Sequence, residues 1–313
     1  MKSLLDIITR VARHPSQPWA LATLVRTTGS TYRKPGACLL VAPDGSTTGV
    51  LSGGCLEEEI GRIGGEVIDG AAPVLLSFDT RRLYGCDGKV DIFVEGIPGA
   101  DERGGNLLTR LGSALKARQI SRVRTCFEGG ELGSELLHAN ALVSEQPGVF
   151  IHAVPPPVRL LLFGGGPEIA PLLQFGSNLG WCIDCFTHPS ELPTGFKPDA
   201  QTAAVVMNHN FGRDLTSLDR LLPLQLSYLG LLGPRKRHAE LLDRLQDYRD
   251  FEPRWLESLH APAGLDIGSE TPEEIALSIV SEISAVLAKR SAGFLRDRRN
   301  PIHACRSLME AAR

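Results

Sequence analysis

Leu161-Leu162-Phe163-Gly164-Gly165-Gly166-Pro167-Glu168-Ile169-Ala170 runs from an apolar stretch through a glycine turn into a helical pattern. That succession marks the first strand, turn and helix of a doubly wound sheet, where a helix N-terminus faces a bound phosphate. Working outward, residues 159–163 read as a buried strand, 167–179 as a helix and 181–186 as a second strand. Residues 203–207 and 228–232 continue the alternation. Strands separated by helical segments need right-handed crossovers, so the sheet is expected to be parallel. Thr271-Pro272-Glu273-Glu274 combines a capping box with proline at the first helical position and predicts a last helix running to about residue 289.

Pro155-Pro156-Pro157 can neither continue a helix nor pair in a central strand, which sets a domain boundary there. The expected fold class is α/β, with a mixed α/β domain over 1–154, a Rossmann-like doubly wound parallel-sheet domain over 158–290, and a basic tail over 291–313. In the first domain, helices are predicted over 4–11, 55–68 and 106–117. Strands are predicted over 19–27, 37–42, 48–51, 74–78 and 90–95, with Asp44-Gly45 as a turn. Residues 129–148 lack periodicity and read as short strands and turns.

The chain is 313 residues long with a net charge of −3, and it has no apolar run long enough to span a bilayer. The charge balance argues against nucleic acid as a partner, since such sites need a basic excess. Asp6 interrupts what would have to be an export-signal core, and seven cysteines are scattered through a chain too long to need staples. Both point to the cytoplasm. The 33 glycines favour tight turns and ligand loops.

The glycine turn departs from the dinucleotide fingerprint. The third glycine of G-x-G-x-x-G falls on Ile169, and Glu168 brings a negative charge to the start of the helix. Thr187 stands where an acid would grip a ribose, with Asp184 too far back in the strand. These features count against NAD(P). Gly164 and Gly166 are either a ligand turn or a turn kept for strand-to-helix packing. His209, in Met207-Asn208-His209-Asn210, follows a strand and falls at the sheet's carboxyl edge, as a binding residue or a hydrogen-bonded loop residue. Arg235, in Gly233-Pro234-Arg235-Lys236-Arg237, belongs to an anion clamp or a solvated helix start.

The densest chemical signal lies earlier. Thr27-Thr28-Gly29-Ser30-Thr31-Tyr32-Arg33-Lys34-Pro35-Gly36 offers hydroxyls and two cations, of which Ser30, Arg33 and Lys34 are the candidate contacts. Ser52-Gly53-Gly54-Cys55-Leu56-Glu57 puts bare amides and a thiol at a helix start, where the dipole attracts anions and favours a thiolate. Glu57, Glu58 and Glu59 work against an acidic thiol, and Cys55 also fits as a small buried residue. Cys86 could meet Cys55 if their loops converge. Cys182 and Cys185, three apart in a strand, point to opposite faces and read as core residues. Neither H-E-x-x-H nor G-x-S-x-G is present, so hydrolase readings lose their usual support.

These segments, with Gly85-Cys86-Asp87-Gly88, Tyr228-Leu229-Gly230-Leu231-Leu232-Gly233-Pro234-Arg235 and Gly264-Leu265-Asp266-Ile267-Gly268, resemble the xanthine dehydrogenase accessory proteins of the XdhC/CoxI type across nearly the whole chain. The resemblance implies a chaperone without turnover of its own. Its cargo would be the molybdenum cofactor, as molybdopterin or its dinucleotide. It would support sulfuration of that cofactor and insert it into an apo-molybdoenzyme of the xanthine dehydrogenase class. A cysteine desulfurase is the second implied partner, and a homodimer would help to shield the cargo. Ser52, Gly53 and Gly54 would cradle the phosphate or pterin edge, with Cys55 on the metal or its sulfur. Two other readings stand beside it: an NAD(P)-dependent oxidoreductase using the Rossmann-like domain, and an interaction module docking through Arg296, Arg298 and Arg299.

Overall fold

Strand β1 (Trp19–Gly29) is buried on both faces over its first seven residues, so helices must cover it from two sides. The computed structural model describes residues 1–54, 56–79, 88–99, 105–138, 146–248, 252–299 and 302. The chain divides into two units, Met1–Pro156 with Arg298–Arg313, and Pro157–Asp297.

In the first unit β1 is joined by β2 (Cys38–Val41), β3 (Thr47–Gly49), β4 (Val74–Asp79) and β5 (Gly88–Ile97) in an antiparallel sheet of order β3-β2-β1-β5-β4. The period of two along β1 sorts its side chains. Ala20, Ala22 and Leu24 pack with Ile60, Ile63 and Val67 of helix α2 (Glu57–Ile68). Trp19 and Leu21 pack with Ile7 and Val11 of α1 (Lys2–Arg13) and Leu108 of α3 (Leu107–Lys116). The helix predicted from residue 55 begins its hydrogen-bonded run at Glu57, two residues later. Asn106 caps α3 by accepting from the Thr109 amide. A second sheet is built from β6 (Ser121–Cys126), β7 (Gly133–Leu137) and β8 (Val149–Val154) in the order β7-β6-β8; β7 lies in the segment that reads as short strands and turns, whereas β6 and β8 are unread in the sequence.

The second unit is the doubly wound sheet. Strands β9 (Arg159–Gly164), β10 (Cys182–Phe186), β11 (Thr202–Met207), β12 (Tyr228–Leu231) and β13 (Leu259–His260) run parallel in the order β10-β9-β11-β12-β13. One face carries Leu161, Phe163, Ala204 and Val206 against α5 (Phe211–Leu221) and α6 (Arg235–Tyr248). The other carries Leu160, Leu162, Ala203 and Val205 against α4 (Ile169–Leu179) and α7 (Pro272–Leu287). Thr271 and Glu274 form the predicted capping box of α7. In strand order this is 2-1-3-4-5, whose switch point lies between β9 and β11. Of the basic tail, residues 291–297 are exposed, while 303–313 lie outside the described residues.

Candidate functional site

Antiparallel pairing alone fixes where the motif loops of the first unit go. β1 ends, β2 begins, β3 ends, β4 ends and β5 begins at one end of the sheet, because Gly29 pairs with Gly88, Asp79 with Lys89, and Leu39 with Gly49. Loop 30–37 and residues 50–54 therefore leave from the same end, beside the end of β4 and the start of β5. Ser30, Arg33 and Lys34 share it with Ser52, Gly53 and Gly54. Cys55 and Cys86, the two thiols expected there, lie outside the described residues. A Cβ on Gly88 would meet the Ser30 and Thr28 carbonyl oxygens at 2.6 and 2.7 Å, so the loop ends approach as closely as bare backbone allows.

The helix start at Ser52 is not an empty cradle. Glu57 folds back so that Oε1 accepts from the Leu51 and Ser52 amides at 3.0 and 2.7 Å, while Ser52 Oγ donates to Oε2. Ser52 Oγ in turn accepts from the Gly54 and Leu56 amides at 3.3 and 3.2 Å. Burial raises the Glu57 carboxyl, but the donors from Ser52 and Leu51 outweigh it and hold the group below its ordinary range. The sequence counted three acids here as one repulsive cluster. Glu58 and Glu59 point to solvent, and Glu57 alone occupies the loop.

Behind loop 30–37, Cys38 Sγ lies 3.7 Å from Thr23 Oγ1, and burial pushes its thiol up to about 11. His152 stacks on Phe150 at 5.0 Å and packs under Gly36, where a Cβ would meet its ring at 3.2 Å. Its Nδ1 is buried without a hydrogen-bond partner. Burial, with a smaller contribution from the Lys34 charge, pushes His152 down from 6.5 to about 4. The unfolded chain then binds a proton that the fold refuses, so stability falls as pH drops from about 6.5 towards 4. The expected loss is about 2 to 3 kcal/mol. His152→Phe should remove that slope in urea unfolding run across the same pH range; an unchanged slope would reject the assignment.

In the second unit the sequence-predicted residues meet at the switch point. Gly164 has φ +125°, and a Cβ there would stand 2.5 Å from the Met207 carbonyl oxygen. Gly166 faces two side chains: its Cβ would meet Glu168 Oε2 at 2.7 Å and His209 Nε2 at 2.9 Å. Glu168 is the N-cap residue of α4 rather than part of its first turn. Its side chain is 9% exposed, and Oε2 is buried with no hydrogen bond, 3.7 Å from His209 Nε2. His209 sits at φ +51°, one of five non-glycine residues in that region among the described residues. The chain's own carboxylate thus fills the place where a pyrophosphate would rest on the helix.

Arg235 is exposed at the start of α6, and the cation drawn inward is Arg237. Its guanidinium donates to Asp214 Oδ2 at 2.5 Å, while Asp214 Oδ1 accepts from the amide and side chain of Asn208 at 3.1 Å each. A charged residue spaced for an N-terminal helical turn was the only sequence signal for Asp214. Asp184 is tied to Arg159 at 2.7 Å. A carboxylate does reach Thr187: Glu191, four residues on, accepts from Thr187 Oγ1 at 2.5 Å and the His188 amide at 3.1 Å. Cys182 and Cys185 are exposed, correcting their assignment to the core, because β10 is an edge strand. Among the described residues, no group of three or more His, Cys, Asp or Glu could hold a metal, and no helix is long and apolar enough to cross a membrane.

Comparison with known proteins gives a consistent result. Residues 160–283 match the family described as the XdhC Rossmann domain, and residues 12–79 match the XdhC and CoxI family. A Bacillus subtilis protein, named as a probable xanthine dehydrogenase subunit, is 29% identical, covering 84% of this chain and 91% of that one. The Escherichia coli molybdenum cofactor insertion chaperone PaoD is 24% identical over 85% of this chain and 82% of its own. A solved structure from Bacillus halodurans, described as a xanthine dehydrogenase, is 25% identical with a TM-score of 0.76, covering 93% and 97% of the two chains.

Proposed function

The chain belongs to the XdhC and CoxI family, and on that premise we propose that it is a molybdenum cofactor chaperone, which carries the cofactor as cargo to an apo-molybdoenzyme of the xanthine dehydrogenase class. The name of the Escherichia coli relative supports a chaperone role, and that of the Bacillus subtilis relative supports the link to xanthine dehydrogenase. The observation that supports the site is that β1, β3 and β4 end, and β2 and β5 begin, at one end of the sheet.

In this reading Arg33 and Lys34 neutralise the cargo's phosphate, and Ser30 with the Ser52-Gly53-Gly54 backbone binds its polar edge. Cys55 supplies a soft thiolate to the molybdenum or its sulfur. Gly53 and Gly54 have open space where a Cβ would stand, which lets a ligand reach the backbone. The first unit is preferred over Gly164, Gly166, His209 and Arg235 because Arg33 and Lys34 lie in a loop at the same sheet end as Gly53 and Gly54, where a Cβ would meet nothing, whereas a Cβ on Gly166 would meet Glu168 and His209. That crowding at Gly166 also works against NAD(P). The protein would act in the cytoplasm, where Cys38, Cys126, Cys182 and Cys185 stay free thiols. Support for sulfuration, with a cysteine desulfurase as partner, and a dimer that shields the cargo complete the proposal.

The test is molybdenum and pterin content after the purified chain is incubated with molybdenum cofactor and desalted. Near-stoichiometric retention is expected, falling at least tenfold in Cys55→Ala and in Arg33→Ala. Absence of retention together with saturable NAD binding would reverse the proposal in favour of an oxidoreductase.

A further inference from the structure

Glu282 of α7 gathers groups from three separate stretches of chain. Tyr228 Oη donates to its Oε2 at 2.6 Å, the Gly264 amide donates to the same oxygen at 2.7 Å, and His260 Nδ1 lies 3.1 Å from Oε1. The Tyr228 ring stacks on the imidazole with centroids 4.5 Å apart and planes at 24°. Gly230 makes room for this: a Cβ there would come within 2.9 Å of the Tyr228 ring. His260 is therefore fixed on one edge by a carboxylate and on one face by an aromatic ring. With a carboxylate accepting at Nδ1, the proton resides on that nitrogen and Nε2 is left as a lone-pair acceptor. Among the described residues no group hydrogen-bonds Nε2.

A brace joining β12, β13 and α7 needs nothing more than these bonds, yet a cavity of about 270 Å³ opens beside them. It lies at the amino edge of the sheet, lined by residues that precede β12 and β13, away from the glycine turn. Arg254, whose Nε also pairs with Glu252, brings donors to it together with Ser258, while the Ser227 hydroxyl donates to the Ala200 carbonyl, and His260 and Glu257 bring acceptors. A lining of both kinds suits a group that accepts and donates at once. A bare oxyanion satisfies Arg254 but has no proton for Nε2; an oxyanion that keeps one proton satisfies Arg254 and Nε2 together.

We propose that this cavity binds inorganic hydrogen phosphate, an oxyanion that keeps one proton near neutral pH, with its charged oxygens on Arg254 and its hydroxyl donated to His260 Nε2. Glu282 and Tyr228 act through His260 as positioning residues.

The experiment compares inorganic phosphate with sulfate by calorimetric titration of the full chain at pH 8 in a buffer free of both. Phosphate keeps one proton there and sulfate has none. Saturable phosphate binding is expected, with sulfate at least tenfold weaker. His260→Phe, which keeps a ring against Tyr228 but removes the acceptor, should weaken phosphate at least tenfold, as should Arg254→Gln. The Arg254 side chain is 62% exposed, so its loss leaves the fold intact and the test stands even if His260→Phe does not fold. Equal affinity for the two anions, no saturation with phosphate, or phosphate binding that survives Arg254→Gln would each overturn the assignment.

Discussion

Asp214→Ala lowers the unfolding free energy by about 3 to 5 kcal/mol, the range for breaking a buried ion pair by removing one partner. Asp214 is fully buried and receives Arg237 together with both Asn208 donors. Its removal leaves a guanidinium, whose Nε already has no partner, without its counter-charge. It also leaves the Asn208 backbone amide without its acceptor, while the Asn208 side chain keeps Ser217 Oγ at 3.3 Å. Asp214→Asn keeps the shape and one acceptor, so it should fall between wild type and alanine. Arg235→Ala, at an exposed position two residues from Arg237, should change stability by less than about 0.5 kcal/mol. Chemical denaturation of the three variants measures the series. A loss below about 1 kcal/mol in Asp214→Ala would show that the network is solvated and remove the argument.

The second large effect is at Gly164. Alanine there must adopt φ +125°, which L-residues avoid, at about 1 to 3 kcal/mol. Its Cβ must also sit 2.5 to 2.7 Å from three backbone atoms of Met207 and Asn208, on the strand that pairs with β9. Backbone in a central parallel sheet cannot step aside as a flexible side chain would. A total of about 3 kcal/mol or more is expected, read as a lowered denaturation midpoint. Gly165→Ala, with open space at the Cβ position, is the matched control. Equal effects at the two positions would refute the steric account.

Where the sequence carries strong period and strong punctuation, the structure follows it. The apolar runs at 159–163 and 203–207, the glycine turn between strand and helix, and the capping box at Thr271 each signal one element, and each is present. Of the small sheet, β7 and β8 carry a weak signal, with half-buried residues along β7 and most of β8, while β6 alternates over only six residues. Half-buried strands in a small sheet carry no clean pattern of two. Cys182 and Cys185 misled for a related reason: residue type says buried, whereas strand order decides which strand lies at the edge. At the candidate sites the sequence indicated the loops but not their occupants. Glu57 bonds back onto its own helix start and Glu168 lies buried against Gly166 and His209, placements that depend on rotamer and loop path rather than on spacing. Glu282 lay beyond reach altogether, since its partners stand 54, 22 and 18 residues away.

The Glu57 carboxylate gives the Ser52 loop a built-in competitor. An anion arriving at the Leu51 and Ser52 amides meets groups already engaged, so binding is an exchange, and the observed affinity is the intrinsic one scaled by the fraction of time Glu57 stands aside. On the proposed reading, the same carboxylate would recapture those amides as a ligand left them. Tight capture would then be given up for prompt release.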